Sequence, residues 1–435
     1  MIKVFEAFAG YGSQAMALKR LKENYPGFNY EVVGISEIDK YAIKAYNAVH
    51  GETKNFGDIS KIDWNEVPDF DLFTYSFPCQ DISTAGHQRG LSEGGETRSS
   101  LLWECRKAIA IKRPKYLLLE NVKNLVSKKF INDFEKWCTE LESYGYKNFY
   151  KVLKASDYGV PQSRERVYMI STLSDNEFVF PEPYELKRRF GDILEDSVDE
   201  KYFLPTKLIE TYINKNKTNK EKGYSLKFET TDVNGISRAV TTKADRPNNS
   251  NFVKVLFNTN PSGRGAGGRV FDTRYLAPTV TTNKGEGVRI ACIEKAKEVA
   301  NTLKEIAESS RSCKCDVTIN PDLSIRPYRL DEKKGGVAEL QTDYDGSVAS
   351  TVISRRPNLV YGGSTGFMVR KTTPRECFRL MDVDDSDIDK IISAGISNTQ
   401  MHKLAGNSIV VNVLYHIFRK LFISSPYGFH VLEEV

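Results

Sequence analysis

Three short segments of the sequence carry side chains that can act together on a heterocyclic ring. Cys79 supplies a thiol in the run Ser76-Phe77-Pro78-Cys79-Gln80, and Glu120 supplies a carboxylate that can protonate or hydrogen-bond a ring nitrogen. Arg164 and Arg166 lie two residues apart, so their guanidinium groups share one side of an extended chain. A lone cysteine is more often a buried small hydrophobe than a nucleophile, so the position of Cys79 has to decide between these interpretations.

A second group of residues is suited to holding a nucleoside. Gly10 and Gly12 let the backbone pass close to a ligand, although the third glycine of a dinucleotide fingerprint is absent. Glu37 can accept hydrogen bonds from ribose hydroxyls, and Asp58 follows a further short segment. Either acid taken alone is more often a helix cap or a surface charge. Together with the glycine turn, the two acids predict a nucleoside pocket.

The elements that must position these residues form an alternating α/β pattern over the first 172 residues. Strands are predicted at residues 2–8, 31–36, 71–75, 116–119, 149–153 and 167–171, and helices at residues 13–24, 40–50, 100–111 and 130–142. The pattern is typical of a doubly wound fold with an open parallel sheet. Ligands bind at the carboxyl ends of such strands, and Cys79, Glu37 and Glu120 each follow a predicted strand.

The pattern changes after Pro181, where helical periodicity weakens and Gly, Asn and Thr become frequent. Three similar β-branched pieces, residues 237–242, 276–282 and 348–354, indicate a second domain of small strands and loops, and chance similarity explains them equally well. Helical signals return at Thr373, a possible cap, and residues 410–421 predict an amphipathic closing helix.

Length and composition exclude several classes of protein. The chain has 435 residues, 40% of them hydrophobic, with 22 Tyr and 23 Phe, which predicts a folded protein of two domains. No apolar run approaches the ~20 residues of a membrane span, and a secretory leader is not evident, so a cytoplasmic protein without membrane association is expected.

The seven cysteines are scattered and odd in number, which argues against a disulfide framework. Cys313 and Cys315 lie close together but lack a nearby histidine or second cysteine pair, so no metal site is expected. The net charge is +5, and residues 186–366 hold 17 Lys and 13 Arg against 23 acidic residues. The positive charge therefore lies in the middle of the chain. It indicates either a surface that binds a polyanion or an ordinary solvated surface.

The ordered motifs together resemble those of the DNA cytosine-5 methyltransferases that use S-adenosylmethionine. The resemblance covers roughly residues 1–175 and 368–425. Its motifs are Phe8-Ala9-Gly10-Tyr11-Gly12, Glu37, Asp58, Pro78-Cys79-Gln80, Thr97-Arg98, Glu120-Asn121-Val122, Gln162 with Arg164 and Arg166, Pro374-Arg375-Glu376, and Gly406-Asn407-Ser408. Glu6 and Ser13 depart mildly from the family pattern, which affects only details of the first turn.

The resemblance implies a Rossmann-like methyltransferase fold and a role for each motif. Cys79 would attack C6 of a flipped-out cytosine, Glu120 would contact N3 and Arg166 O2, with Arg164 as a further catalytic residue. The residues implied to bind S-adenosylmethionine are Phe8, Gly10, Gly12, Glu37, Asp58, Pro78, Asn407 and Ser408. The residues expected to contact DNA, in or beside a loop over residues 81–98 that can close on it, are Gln80, Ser83, His87, Arg89 and Arg98.

The resemblance also predicts the domain order and the partners. Residues 1–185 and 367–435 would form a discontinuous catalytic domain, and residues 186–366 a β- and loop-rich target recognition domain. Candidate base-reading stretches are residues 264–274, 283–289 and 355–358, although glycine-rich loops there can equally be plain connections. The predicted partner is double-stranded DNA, and the expected setting is a monomer in a restriction-modification system, without a stable complex with the endonuclease.

Three alternatives remain at this point. A tRNA cytosine-5 methyltransferase shares the chemistry, but that relative resembles this fold with a much reduced recognition region, whereas the insert here has 181 residues. A non-catalytic DNA-binding protein that keeps the fold would not need Cys79, Glu120 and Arg166 together. A nicotinamide-dependent enzyme fits only the first 60 residues.

Overall fold

Two compact units make up the chain. The computed structural model describes residues 1–79, 82, 101–221, 230–242, 244, 251–255, 257–258, 269–272, 289–291, 315–319, 325–329, 338–342, 348–352 and 368–423. The first unit, the catalytic unit, comprises Met1–Arg189, Ile236–Asp245 and Pro374–Val435. The second unit comprises Phe190–Gly235 and Arg246–Thr373. The sequence analysis drew the borders at 185/186 and 366/367 and did not anticipate that residues 236–245 lie with the first unit.

A six-stranded sheet forms the centre of the catalytic unit. Its strands are β1 (Ile2–Ala7), β2 (Tyr30–Ser36), β3 (Leu72–Tyr75), β4 (Tyr116–Val122), β5 (Lys147–Lys154) and β6 (Glu165–Thr172), in the spatial order β2-β1-β3-β4-β6-β5. All six were predicted. The four strands β2, β1, β3 and β4 pair in parallel, whereas β6 runs antiparallel to both β4 and β5. The predicted open parallel sheet thus contains one antiparallel strand, β6, which the sequence did not reveal because alternating burial carries no information on strand direction.

The helices of the catalytic unit follow the predicted order. They are α1 (Ser13–Asn24), α2 (Lys40–His50), α3 (Leu102–Lys112) and α4 (Ile131–Ser143), with α6 (Pro374–Arg379), α7 (Asp385–Ser393), α8 (Asn398–Asn407) and α9 (Val411–Phe422) after the insert. Helix α2 begins where Asp39 accepts a hydrogen bond from Tyr41 N (2.9 Å) and buries Ala42, Ala45 and Tyr46 on one face. No described helix is long and apolar enough to cross a membrane.

The core on one side of the sheet follows the period of two that a strand imposes. Phe5, Phe73, Leu117 and Met169, one from each of four strands, are fully buried in a single hydrophobic cluster. Helices α3 and α4 cover this cluster with apolar residues that include Leu102, Cys105, Ile109, Phe134, Trp137 and Leu141. Edge-to-face contacts among its rings, such as Trp103 on Trp137 at 5.5 Å, fix the packing.

The register of the parallel strands places the predicted site residues in one row. Ala7 pairs with both Ser36 and Tyr75, and Tyr75 pairs with Leu119. The residues that follow at the same edge are Phe8, Glu37, Ser76 and Glu120. Strand β6 reaches this edge from the opposite direction, so that Arg166 lies opposite Val122. The fold therefore brings the chemistry-bearing strand ends together as the sequence predicted.

The second unit contains short strands and one described helix. The helix is α5 (Thr206–Glu221), and the strands are β7 (Phe252–Val255), β8 (Phe257–Asn258), β9 (Arg269–Asp272), β10 (Arg289–Ala291), β11 (Cys315–Ile319), β12 (Ile325–Arg329), β13 (Ala338–Thr342), β14 (Val348–Val352) and β15 (Met368–Lys371). Strands β11 to β14 form an antiparallel sheet, and β7 pairs with β15. The predicted β-rich character is confirmed, but helix α5 was missed because its Asn- and Lys-rich sequence gives a weak periodic signal.

Candidate active site at the carboxyl edge of the central sheet

The glycine turn after β1 is held in an unusual backbone conformation. Phe8, Gly10 and Gly12 all have positive φ, at 56°, 61° and 85°. For the phenylalanine this conformation is strained, and such strain is common at ligand sites. A Cβ on Gly10 would meet nothing within 4 Å, whereas one on Gly12 would lie 2.3 Å from His50 Nε2. The open space therefore lies beside Gly10, and Gly12 is required by packing against α2.

Glu37 closes the turn from the neighbouring strand. Its Oε2 accepts a hydrogen bond from Gly10 N (2.9 Å), and its Oε1 accepts one each from Ile38 N and Asp39 N (2.8 Å). The carboxylate thus fixes the glycine turn through backbone hydrogen bonds on both of its oxygens. Ile38, which the sequence analysis did not single out, is 74% exposed beside it. Its position directly after an acid at a strand end is the signal that would have marked Ile38 as a candidate site residue.

Asp58 lies further along the same side of the catalytic unit. Its Oδ1 accepts hydrogen bonds from Ser60 N (3.0 Å) and Ser60 Oγ (2.8 Å), which makes it the cap of a single 3₁₀ turn. These hydrogen bonds lower the pKa of the Asp58 carboxyl. The side chain stays 39% exposed, so its second oxygen can meet a ligand. The predicted capping role and the predicted ligand role are compatible.

The Gly406-Asn407-Ser408 turn returns to the glycine turn from the far end of the chain. Tyr11 OH donates a hydrogen bond to Ser408 Oγ (2.7 Å), and Ser408 Oγ donates to Ala405 O (2.8 Å). Asn407 is exposed. Burial raises the pKa of Tyr11 to about 12, so the phenol remains a neutral donor. Tyr11 was not predicted as a site residue; its place between two glycines was the available signal.

Two amides fix the segment that carries Cys79. Asn121 Nδ2 donates to Phe77 O (3.0 Å), and Asn124 Nδ2 donates to Ile82 O. Ile82 N in turn donates to Cys79 O (3.1 Å), and the Ile82 side chain is fully buried. The backbone is therefore held on both sides of the thiol. Asn124 was missed by sequence reasoning, because its role depends on a contact 42 residues away.

Cys79, Glu120 and Arg166 form an electrostatic cluster. Glu120 Oε1 lies 3.3 Å from Arg166 Nε, and Glu120 is 7% exposed. Burial raises the pKa of the Glu120 carboxyl against the lowering effects of Arg166 and Arg164. Burial also raises the pKa of the Cys79 thiol, again opposed by Arg166. The arrangement holds a carboxyl of raised pKa and a guanidinium beside a partly buried thiol.

Arg164 makes different contacts from Arg166 although it is only two residues away. It is 4% exposed, and its guanidinium donates to the backbone oxygens of Val240 (3.0 Å), Gly406 (3.2 Å) and Ser408 (2.6 Å). The predicted catalytic residue thus has its donors directed at the protein backbone. Its charge still acts on Glu120 and Cys79.

The remaining predicted site residues divide into two groups. Pro78 precedes Cys79 at the strand edge and is half-buried. The predicted DNA-contacting residues Gln80, Ser83, His87, Arg89 and Arg98 lie outside the described residues, as do Thr97, Cys313 and residues 276–282, 283–288 and 355–358. Of residues 264–274, the structure describes only strand β9.

Comparison with known proteins agrees with this geometry. The family model described as "C-5 cytosine-specific DNA methylase" matches residues 2–423. The chain belongs to this family. The orphan methyltransferase M.SPRI of Bacillus phage SPR is 33% identical over 463 residues, covering 97% of each chain. The type II methyltransferase M2.ScrFI of Lactococcus lactis subsp. cremoris is 32% identical over 476 residues, covering 97% of this chain and 99% of its own.

Solved structures show the same methyltransferase fold. The S. pombe Dnmt2 methyltransferase has a TM-score of 0.55 at 16% identity, covering 96% of this chain and 97% of its own. The Entamoeba histolytica methyltransferase EhMeth has a TM-score of 0.57 at 17% identity, covering 97% and 98%. The predicted Rossmann-like methyltransferase fold is thereby confirmed. The protein is a DNA cytosine-5 methyltransferase of a family that depends on S-adenosylmethionine.

Proposed function

We propose that this cytosine-5 methyltransferase modifies a flipped-out cytosine in duplex DNA through a covalent bond between Cys79 and C6. The observation that carries the proposal is the cluster of Cys79, Glu120 and Arg166 at the carboxyl edge of β3 and β4, with Glu120 Oε1 3.3 Å from Arg166 Nε. The site combines a thiol, a carboxyl of raised pKa and a fixed cation. Those are the groups that attack on C6 of a cytosine requires.

The residues of the glycine turn fit S-adenosylmethionine. A Cβ on Gly10 would meet empty space, and the exposed apolar surface of Ile38 and the carboxylate of Glu37 border the same turn. Phe8, Gly10, Glu37 and Asp58 would hold the adenosine part, with Pro78, Asn407 and Ser408 beside it, while Gly12 supports the turn. When bound there, the cofactor supplies an electrophilic methyl group.

Each catalytic group has a defined task in the proposed reaction. The thiol of Cys79 loses its proton and forms a bond to C6, which moves an electron pair toward C5 and makes that carbon nucleophilic. Glu120 donates a hydrogen bond to N3, which its raised pKa permits, and Arg166 stabilises charge at O2. Once C5 has taken the methyl group from the sulfonium, which leaves a neutral thioether, water would remove the C5 proton. The bond from Cys79 to C6 would then break, which restores the ring and releases a thiolate that regains its proton from solvent.

The DNA side of the proposal rests on charge and on the family. Residues 186–366, which include most of the second unit, carry an excess of seven positive charges, so we assign the second unit to DNA recognition. Residues 80–98 would contact the strand around the flipped base. The setting we propose is DNA modification in the cytoplasm, by a monomer, alongside a restriction endonuclease that does not form a stable complex with it.

A duplex that contains 5-fluorocytosine tests the covalent step. Fluorine at C5 cannot leave as a proton does, so the enzyme should accumulate as an adduct that survives denaturing electrophoresis and requires S-adenosylmethionine. Peptide mapping should locate the adduct at Cys79, and Cys79→Ala should abolish it. Cys138→Ala is the matched control, because burial raises the pKa of that thiol to about 12 and leaves it inert. An adduct at another cysteine would contradict the mechanism.

Two further measurements test the substrate and the setting. Methyl transfer to duplex DNA and to tRNA, measured side by side, should occur only with DNA. Bisulfite sequencing of DNA from expressing cells should show one short sequence context. An extract of the native host should then cut unmodified DNA at that context and spare modified DNA; equal cutting of both would remove the restriction-modification setting.

A further inference from the structure

A ten-residue segment from the middle of the chain is built into the catalytic unit. Ile236–Asp245, which we call the strap, lies in that unit although the residues on both sides belong to the second unit. Ser237 N donates to Pro161 O (2.8 Å), and Ser163 N donates to Ser237 O (2.9 Å). Ser237 and Val240 are 1% and 2% exposed. The strap therefore pairs with the chain just before β6 and buries two side chains there.

Gln162 and Arg164 hold the strap at Val240. Gln162 Oε1 accepts a hydrogen bond from Val240 N (2.9 Å), while its Nε2 donates to Leu380 O (2.6 Å). Arg164 donates to Val240 O (3.0 Å). Both polar backbone groups of Val240 are thus bound by side chains of one short segment. Burial lowers the pKa of Arg164 to about 10, which leaves the guanidinium charged near neutral pH.

Gly406 lies directly against the strap. A Cβ at this position would be 2.2 Å from Thr241 C and from Thr242 N. These are backbone atoms, so they cannot turn aside as the end of a flexible side chain can. A glycine is therefore required at position 406 for the strap to occupy its place.

The strap is connected to the glycine turn through two residues. Arg164, which binds Val240 O, also binds Gly406 O and Ser408 O. Ser408 Oγ accepts the hydrogen bond from Tyr11, which lies between Gly10 and Gly12. Val240, Arg164, Ser408 and Tyr11, which form this chain of contacts, are all nine-tenths or more buried. A displacement of the strap should therefore shift Arg164 and Ser408, and with them the glycine turn that we propose binds S-adenosylmethionine.

We propose that the strap is a positioning element for the cofactor turn, and that Gln162, Arg164 and Gly406 are the positioning residues that hold it. It acts on cofactor binding and takes no part in the choice of DNA sequence, although it lies between two stretches of the second unit. Arg164 then acts through the backbone of the 406–408 turn and does not contact the reacting base. The inference rests on the proposed cofactor site, but not on the covalent step.

The first test is Gly406→Ala, with Gly191→Ala as the matched control. A Cβ on Gly191 would also approach a backbone atom, Val233 O at 3.1 Å, but in the second unit. Calorimetry without DNA should show S-adenosylmethionine binding weakened by about tenfold or more in Gly406→Ala and unchanged in Gly191→Ala. Bisulfite sequencing should show the same methylated sequence for Gly406→Ala as for wild type. Unchanged affinity, or a changed sequence, would overturn the proposal.

If Gly406→Ala does not fold, Arg164→Lys provides a second test of whether the strap positions the cofactor turn. Lysine keeps the charge but loses the planar fork that binds three carbonyls. We expect cofactor affinity to fall by about five- to tenfold, while the rate of adduct formation at saturating S-adenosylmethionine changes less than about twofold. A reduced rate at saturation with unchanged affinity would instead make Arg164 a catalytic residue. Because the affinity is measured without DNA, failure of the covalent mechanism would not affect this result.

Discussion

Two parts of the central sheet are built in opposite ways. One is the glycine turn, residues 8–12, which we propose binds the cofactor and call the cofactor turn; the other is the edge that carries Cys79 and Glu120, which we call the nucleophile edge. At the turn, the Glu37 carboxylate accepts three backbone hydrogen bonds, and Tyr11 is bonded to Ser408. At the nucleophile edge, Glu120 Oε1 is buried without a hydrogen bond of good geometry. The pKa values of Glu120 and Cys79 are both raised by burial.

This difference in hydrogen bonding matches the different tasks that we propose for the two parts, which are cofactor binding at the turn and reaction at the nucleophile edge. A cofactor turn whose groups are already paired binds without rearrangement, which lowers the cost of ordering on association. Buried polar groups are normally hydrogen-bonded, and Glu120 Oε1 has only the ion pair with Arg166 at 3.3 Å, so a ligand that supplies a well-aligned hydrogen bond is favoured there. We therefore expect the flipped base of the proposed reaction to complete the nucleophile edge, whereas the groups of the glycine turn are already paired without a ligand. Four predictions test this contrast.

The largest effect is expected for Glu120→Gln. Loss of an acid that stabilises charge on the ring should lower the single-turnover rate by about 10²- to 10³-fold. The wild-type rate should also fall at alkaline pH, because a raised pKa keeps the proton only up to that value and the ionised carboxylate cannot donate. The amide does not titrate, so the variant should lose this alkaline decline. Rates measured from about pH 6 to about pH 9 check both points; an alkaline decline that persists in the variant would assign it to another group.

The second prediction concerns Glu6, a buried carboxyl in the half of the sheet where no chemistry is proposed. Its Oε2 accepts from Tyr46 OH (2.7 Å), its Oε1 has no hydrogen-bond partner, and burial raises its pKa to about 7. Since the pKa of Glu6 in the folded state exceeds the ordinary glutamate value of 4.5, the folded state keeps the proton longer, and stability is lost as pH rises from about 4.5 to about 7. Relative to Glu6→Gln, the unfolding free energy of wild type should fall by about 2 kcal/mol between about pH 5.5 and about pH 8. Urea unfolding at both pH values measures it, and parallel curves would show that Glu6 does not titrate there.

The third prediction ranks the two acids beside the cofactor turn. Glu37→Ala should weaken S-adenosylmethionine binding by about 1 to 3 kcal/mol, because it removes a ligand contact and also frees Gly10 N. Asp58→Ala should fall at the lower end of that range. Asp63→Ala is its matched control, since Asp63 Oδ1 caps an equivalent turn by accepting from Asn65 N (3.0 Å). Calorimetric affinities equal to wild type for both Glu37→Ala and Asp58→Ala would remove these acids from the site.

The smallest effect is expected for Asn124→Ala. Loss of its hydrogen bond to Ile82 O should loosen the backbone beside Cys79 and slow adduct formation by about five- to tenfold, with cofactor affinity unchanged. Asn148→Ala removes a similar amide bond, to Cys138 O (3.0 Å), away from the site and should leave the adduct rate unaltered. Equal rates for the two variants would show that Cys79 needs no support from Asn124.

The sequence predicted most of the catalytic unit because its signals are local. Helix α2 was predicted at its observed bounds, because its apolar residues recur on one face. Glu37, Cys79 and Glu120 could be placed together because parallel strands end at one edge. The direction of β6, the place of residues 236–245 and the partners of Arg164 could not be predicted. Each depends on contacts between segments about 40 or more residues apart, which no local pattern encodes.

The hydrogen bond from Tyr11 to Ser408 spans 397 residues and has a consequence for biosynthesis. Ribosomes add about 5 to 20 residues per second, so roughly 20 to 80 s separate the appearance of the two partners. During that interval helix α1 also lacks its neighbour α9, and Phe28, which follows α1, lacks the ring of Phe422 on which it stacks at 5.5 Å. The nascent chain therefore carries Cys79, Glu120 and Arg166 long before Ser408 is present to support the glycine turn. A chain released early by the ribosome should accordingly be a target for chaperones and proteases, and not a half-active enzyme on the chromosome.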